Sequence, residues 1–460
     1  MLAIMPYIAI VVTLLTAWAI VKKYNPQTTL LFAGLVLISL SALAGVTDLL
    51  PKGAKSTGSI VFDIVEVYTQ ISMRQISGIG FLILMAGGFS AYMEQIGAGD
   101  KLVQICIEPL RRFKNPYILL GMAFLVGHAI GLVLPSASGL AMLLIVAMFP
   151  LLVGLGISKI SAAATIGCTL CMSYAPTSPM GLLSSRTAEI EPIIYLVKYQ
   201  LPVAIPAIVT VTVALVVVMR YFDIKEGLAG GEISEEDRKK AEELAKGVPA
   251  FYAILPLMPL ILLIIFSPLV MKTIVLPTPT AMIIGWIFAM LVDIVRHRSL
   301  QKVFNDGMAM FRGMGSQLVI TVSLVFVAEY FATGLKTSGL VSLFIETSKN
   351  LGMGIVGTTI LLSLCIGLIT ILTGSGVAAL SSLIGLAPTV SASLGGSALS
   401  MIVPMQFAAE MLRPLSPVTA VIIIVAGAAG VSPLMIVKRT AIPCVIGMIV
   451  VFAANIIFLS

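Results

Sequence analysis

Two short signatures, one in each half of the chain, bring together residue types suited to holding a small anion. The first half carries Pro135-Ser136-Ala137-Ser138-Gly139 and then Pro176-Thr177-Ser178-Pro179. The second carries Thr373-Gly374-Ser375-Gly376 and then Pro414-Leu415-Ser416-Pro417. From Ser138 to Ser178 is 40 positions, and from Ser375 to Ser416 is 41. Glycines such as Gly139, Gly374 and Gly376 release a helix at low steric cost. The hydroxyls of Ser136, Ser138, Thr373 and Ser375 can meet a carboxylate or a cation, and N–H groups exposed at a helix break favour anions. Each proline pair removes backbone donors, leaving carbonyls that, with Thr177, Ser178 and Ser416, suit a cation. Candidate Na⁺ positions therefore lie near Ser138, Ser178, Ser375 and Ser416.

Arg413 stands directly at the second proline break. A charged side chain at membrane depth is costly and marks a functional site by default. A guanidinium holds a carboxylate through two parallel hydrogen bonds. Glu410 lies three residues earlier, on the same helical face if the helix persists, so two roles stay open for Arg413: substrate contact, or an internal ion pair. Glu410 is also a candidate proton carrier. His128 reads either as a proton relay or as a buried structural histidine, and Gln406, one turn before Glu410, as an accessory contact. Asn305 and Asp306 read as loop residues. Cys168 and Cys171 form a C-x-x-C, but without a second pair or a nearby histidine in sequence they read as small apolar residues.

These residues need a membrane around them. The 460-residue chain is 59% hydrophobic and 11% charged, with a mean hydropathy of +1.09. A soluble domain is about 25% charged, so a water-facing surface is excluded. Apolar runs recur over 5–21, 29–47, 78–96, 160–185, 200–220, 252–271, 279–295, 314–333, 398–427 and 440–459, long enough to cross a bilayer as helices. The segment after Met1 has no basic leader and reads as a span. Two further stretches, 116–156 and 354–390, are broken midway by the Ser-Gly motifs and read as re-entrant hairpins, tolerated only where they line a protein cavity.

With the N-terminus outside, most of the 28 basic residues fall in cytoplasmic loops. Their scatter marks topology rather than a nucleic-acid surface. The fold predicted is all-α and polytopic, with two inverted repeats of five crossings and one hairpin each: 1–221 and 250–460, joined by a charged cytoplasmic linker at 222–249. Both termini are then periplasmic. Pro192 and Pro202 recur as Pro433 and Pro443, and Val61-Phe62-Asp63 as Val303-Phe304-Asn305. Helix breaks at matching positions of two halves point to a carrier's binding site. A channel fits less well, because the polar residues concentrate at two mid-membrane breaks. A hydrolase built on Ser375 lacks a base, since His128 and His297 are the only histidines.

The chain also resembles the anaerobic four-carbon dicarboxylate carriers of the DcuC type, within a broader ion-transporter superfamily. The resemblance rests on Gly88-Phe89-Ser90-Ala91-Tyr92-Met93 with Ile96-Gly97-Ala98, on Ser138-Gly139-Leu140 and on Ala175-Pro176-Thr177-Ser178. It continues through Ala250-Phe251-Tyr252-Ala253-Ile254-Leu255-Pro256, Thr373-Gly374-Ser375-Gly376, Arg413 with Leu415-Ser416-Pro417-Val418, and Val437-Lys438-Arg439-Thr440. It implies a homodimeric inner-membrane carrier, not an enzyme, that moves succinate, fumarate or malate by exchange or by coupling to Na⁺ or H⁺. Other branches of the superfamily, handling other carboxylates or amino acids, are the alternative. It implies no cofactor. It also implies an elevator arrangement, with scaffold spans at 1–50 and 250–296 and transport parts at 78–221 and 314–460.

Overall fold

Helices in this chain repeatedly start at a proline placed just after a capping side chain. Asn25 accepts from Thr28 N at the head of Pro26–Leu43, and Asn115 from Tyr117 N and Ile118 N at the head of Pro116–Gly131. Ser178 accepts from Gly181 N at the head of Pro179–Thr187. Proline suits this position because its missing N–H has no partner there anyway, while the cap satisfies one of the donors that remain.

A computed structural model describes residues 4–22, 24–51, 54–113, 115–134, 137–169, 171–228, 247–267, 270–271, 273–274 and 276–459. The candidate residue Ser136, the preceding Pro135 and most of the 222–249 linker lie outside that set. The described residues are helical or irregular, without strands. Among the described residues, ten helical segments are long and apolar enough to cross a membrane, so the protein is a multi-span membrane protein.

Two of these segments depart from the spans read off hydropathy. Ile60–Gln95 runs for 36 residues and Leu300–Thr337 for 38. Each is interrupted by a five-residue π-turn, at Ile76–Gly80 and Leu318–Val322, and each turn follows a glutamine, Gln75 or Gln317. Asn305 and Asp306 are therefore helical rather than loop residues, and Asp306 Oδ1 accepts from Gln95 Nε2 at 3.0 Å. The helix Leu300–Gln317 buries Val303, Gly307 and Met310 on one stripe and exposes a mixed surface, where Phe304, Met308 and Phe311 stand among Gln301, Lys302 and Asn305. An amphipathic helix of this kind has low average hydropathy, which is why it read as a loop.

Glycines set how closely the two halves approach. A Cβ on Gly313 would lie 2.6 Å from both the Ala91 Cβ and the Gly87 oxygen, and one on Gly88 would lie 2.6 Å from the Met310 oxygen. Phe81–Gln95 and Leu300–Gln317 thus meet backbone to backbone, as small residues allow between membrane helices. Gly34 and Gly334 do the same for Pro26–Leu43 and Ser323–Thr337.

A buried ionic cluster ties Leu201–Lys225 to Pro433–Leu459. Arg439 Nη1 sits 2.6 Å from Asp223 Oδ1, and its Nη2 2.6 Å from Glu226 Oε2. Asp223 also accepts from Ser158, Ser161 and Tyr117, and Lys438 Nζ reaches Glu226 at 3.1 Å. A buried pair persists only when hydrogen bonds satisfy its remaining lone pairs, and here they do.

Candidate substrate site

Both proline segments interrupt helices. In the first half Lys159–Cys168 ends, residues 171–178 are irregular, and Pro179–Thr187 begins. In the second, Ala398–Met411 gives way to a 3₁₀ turn at Arg413–Leu415, then to irregular backbone, and the helix resumes at Ala420–Ala429. Thr177 and Ser178 are buried, and the Ser178 hydroxyl caps its helix. Ser416 is wholly buried, and among the described residues its Oγ has no hydrogen-bond partner.

The second hairpin folds its tip onto the second break. Gly374 adopts φ 74°, a left-handed conformation that ends Gly354–Thr373 and that glycine takes without strain. Ser375 accepts from Ala378 N at 3.2 Å, capping Gly376–Leu383, and Thr373 Oγ1 accepts from Ser375 N. Thr419 Oγ1 lies within hydrogen-bonding reach of the Gly374 and Arg413 carbonyls, at 3.3 and 3.2 Å. A Cβ on Gly376 would overlap the Ala409 carbonyl and lie 2.9 Å from Arg413 Cδ. The Arg413 side chain therefore crosses the first turn of Gly376–Leu383, where the helix end already favours negative charge.

The first hairpin is arranged differently. Its second arm, Ala137–Ala147, packs on Ala420–Ala429 of the other half, while Gly376–Leu383 packs on Pro179–Thr187. Each hairpin thus leans on the helix beyond the opposite break. Ser138 is exposed at the start of its helix, and Gly139 beside it is half-buried.

The two halves are joined by Glu410 and Gln406. Glu410 Oε2 accepts from Ser173 N at 2.7 Å, within the first break, and Oε1 accepts from Gln406 Nε2 at 3.0 Å. Gln406 Oε1 accepts in turn from Tyr195 OH at 2.9 Å. Among the described residues Arg413 makes no side-chain hydrogen bond or ion pair, to Glu410 or to any other residue. Ser173 and Tyr195 gave no signal in the sequence, because only the fold brings them to Gln406 and Glu410.

His128 is buried between Phe124, at 4.4 Å between ring centres, and Tyr174, at 5.9 Å, with Nε2 3.8 Å from Cys171 Sγ. Cys168 Sγ lies 3.9 Å from Cys444 Sγ. The neighbours missing from the linear C-x-x-C are thus supplied by the fold. Even so, no group of three or more His, Cys, Asp or Glu among the described residues is placed to hold a metal.

Free volume is unevenly distributed. The cavity beside Arg413, bounded by Gly167, Pro414 and Thr419, is about 10 Å³, room for one water at most. A cleft of about 310 Å³ reaches Thr177 and Pro179 between Phe81–Gln95 and Leu300–Gln317. A third, of about 720 Å³, reaches the far end of Pro179–Thr187, past Leu183 and Arg186 to Glu191.

Against known proteins, residues 5–460 match the family model described as C4-dicarboxylate anaerobic carrier, DcuC. The chain belongs to that family. It is 33% identical over 448 residues to the anaerobic C4-dicarboxylate transporter DcuC of Escherichia coli K12, covering 97% of this chain and 95% of that one. A probable DcuC from Vibrio cholerae is 30% identical, covering 98% and 97%. These relatives are named as transporters, so transport rather than catalysis is the activity of the family. Two solved structures share the fold of this DcuC-family chain. MtrF of Neisseria gonorrhoeae has a TM-score of 0.61 at 14% identity, covering 97% of each chain. The YdaH transporter of Alcanivorax borkumensis has a TM-score of 0.62 at 18% identity, covering 94% of this chain and 98% of that one.

Proposed function

We propose that the protein is a secondary transporter of C4-dicarboxylates such as succinate, fumarate and malate, in the bacterial inner membrane. One carboxylate is held where Arg413 crosses the N-terminal turn of Gly376–Leu383. The observation that carries this reading is a guanidinium without a hydrogen-bonding partner among the described residues, beside a helix end where Gly376 leaves no room for a side chain. The hydroxyls of Thr373, Ser375, Ser416, Ser138, Thr177 and Ser178, with the irregular backbone of the two breaks, complete the site or ligate a co-transported cation. Exchange, Na⁺ coupling and H⁺ coupling all fit this chemistry.

Because Gly376 lies packed against the Ala409 carbonyl and Arg413 Cδ, binding needs the tip to open. The unequal clefts on either side of Pro179–Thr187 suit alternating access of the elevator kind, between inverted repeats 1–221 and 250–460 in a homodimer. The termini are then periplasmic and the 222–249 linker cytoplasmic. Purified protein in liposomes preloaded with succinate tests the reading. Saturable counterflow of labelled succinate, fumarate or malate supports it. Counterflow of amino acids or monocarboxylates alone replaces the substrate, and ohmic conductance without counterflow overturns the carrier.

A further inference from the structure

The 310 Å³ cleft is built from two facing helices with polar groups one turn apart on each. Ser90 and Glu94 lie on Phe81–Gln95, and Arg312 and Ser316 on Leu300–Gln317. Thr177 lines it as well, directly before the cap Ser178. Ser90 is 4% exposed, and among the described residues its Oγ finds no hydrogen-bond partner. Arg312 and Glu94 are both exposed, and among the described residues no ion pair joins them. The glycine contacts at Gly87 and Gly313 lock the two helices against each other where they line the cleft. At this size the cleft falls at the low end of the ~300–1,000 Å³ typical of ligand pockets, against one water's room at Arg413.

We propose that this cleft is a second, transit subsite for the dicarboxylate, occupied on the way to or from the first break. One substrate carboxylate pairs with Arg312, whose fork suits bidentate contact. The hydroxyls of Ser90 and Ser316 donate to the same anion, giving the buried Ser90 Oγ a partner. Glu94, across the cleft, repels the dianion and keeps its residence short, because a transit site must bind weakly enough to release. The inference rests on the dicarboxylate reading. Its rival for the same residues is a latch, in which Glu94 and Arg312 pair to shut the cleft.

Charge variants separate the two. Arg312→Gln and Glu94→Gln are compared with the parent in right-side-out and everted vesicles, with labelled succinate as the probe. Size-exclusion profiles in detergent check folding. A transit subsite requires effects of opposite sign on one side of the membrane only. Arg312→Gln raises KM there by about tenfold, the worth of one charge-assisted hydrogen bond, and Glu94→Gln lowers it. Added salt raises the parent's KM on that side and affects Arg312→Gln less, because screening acts on the missing charge. Arg312→Lys recovers part of the loss. Shifts of the same sign for both variants favour the latch and overturn the proposal, as do equal shifts from both sides or none. A parent protein that moves no succinate removes the dicarboxylate reading itself, and the subsite with it.

Discussion

Glu410 accepts a 2.7 Å hydrogen bond from the backbone N–H of Ser173, 237 positions earlier in the chain. A side chain on the helix before the second break thus fixes the irregular segment of the first. Its other oxygen is engaged by Gln406, which Tyr195 holds in place. Glu410 is a positioning residue for Ser173–Ser178, and among the described residues it makes no ion pair with Arg413, three residues on.

Replacing Glu410 by Ala leaves the half-buried Ser173 N–H without its acceptor, a loss of about 1–3 kcal/mol. The expected outcome is a lower melting temperature in detergent, faster hydrogen exchange over 171–178 and at least tenfold slower succinate counterflow. Gln406→Ala, which keeps the Ser173 N–H bond to Glu410 and loses only the longer 3.4 Å bond from Gln406 Nε2 to the Ser173 carbonyl, has a smaller effect on exchange. Unchanged exchange in Glu410→Ala would show that the break is held by other contacts.

Arg413→Gln makes the complementary prediction. With no intramolecular bond to lose, the ligand-free protein melts within a degree or two of the parent. Succinate affinity falls by tenfold or more, since a charged donor contributes about 1.5–3 kcal/mol. A large fall in melting temperature with unchanged affinity would assign Arg413 to structure.

The two breaks were readable from sequence because paired prolines act locally: Pro176 with Pro179 and Pro414 with Pro417 interrupt their helices, whereas the single Pro206, Pro404 and Pro443 stay inside theirs. The helices Ile60–Gln75 and Leu300–Gln317 were not, because hydropathy averages over the face they bury and the face they do not. Glu410 and Arg413 as a pair illustrate a different limit. Their spacing allowed an ion pair, and only the tertiary position of Ser173 decides where the carboxylate turns. Cys444 beside Cys168 likewise depends on two helices that sequence spacing cannot bring together.

At the second tip, Gly376→Ala forces a methyl group into the Ala409 carbonyl. The tip must move away from Arg413, so succinate counterflow is lost while membrane insertion persists. Gly374→Ala also strains the tip, placing a side chain at φ 74° and 3.0 Å from the Thr419 backbone nitrogen, at a cost of about 1–3 kcal/mol. Near-normal transport by Gly376→Ala would mean that the tip is not held against Ala409 during the cycle.

Ser416→Ala separates stability from function. Its hydroxyl is buried without a partner, so removing it is neutral or stabilising by about 1 kcal/mol in the ligand-free protein. As a proposed ligand for substrate or cation, its loss raises the half-saturation of one of them by about threefold or more. A fall in melting temperature with intact transport would show that the hydroxyl is bonded within the protein.

Glu226 makes a prediction in pH. Hydrogen bonds from Arg439 and Lys438 hold its carboxyl below the usual carboxylate range. The folded protein therefore gives up this proton at a lower pH than the unfolded chain, whose value is about 4.3. Between those two values the unfolded state binds more protons, so stability rises with pH. The contribution is complete above about pH 4.3 and is lost as pH falls through the lowered folded value. Melting temperatures in detergent should drop on acidification through that window. Glu226→Gln should flatten the drop while Asp223 continues to hold Arg439. An acid-side slope identical in parent and variant would mean that Glu226 carries none of the linkage.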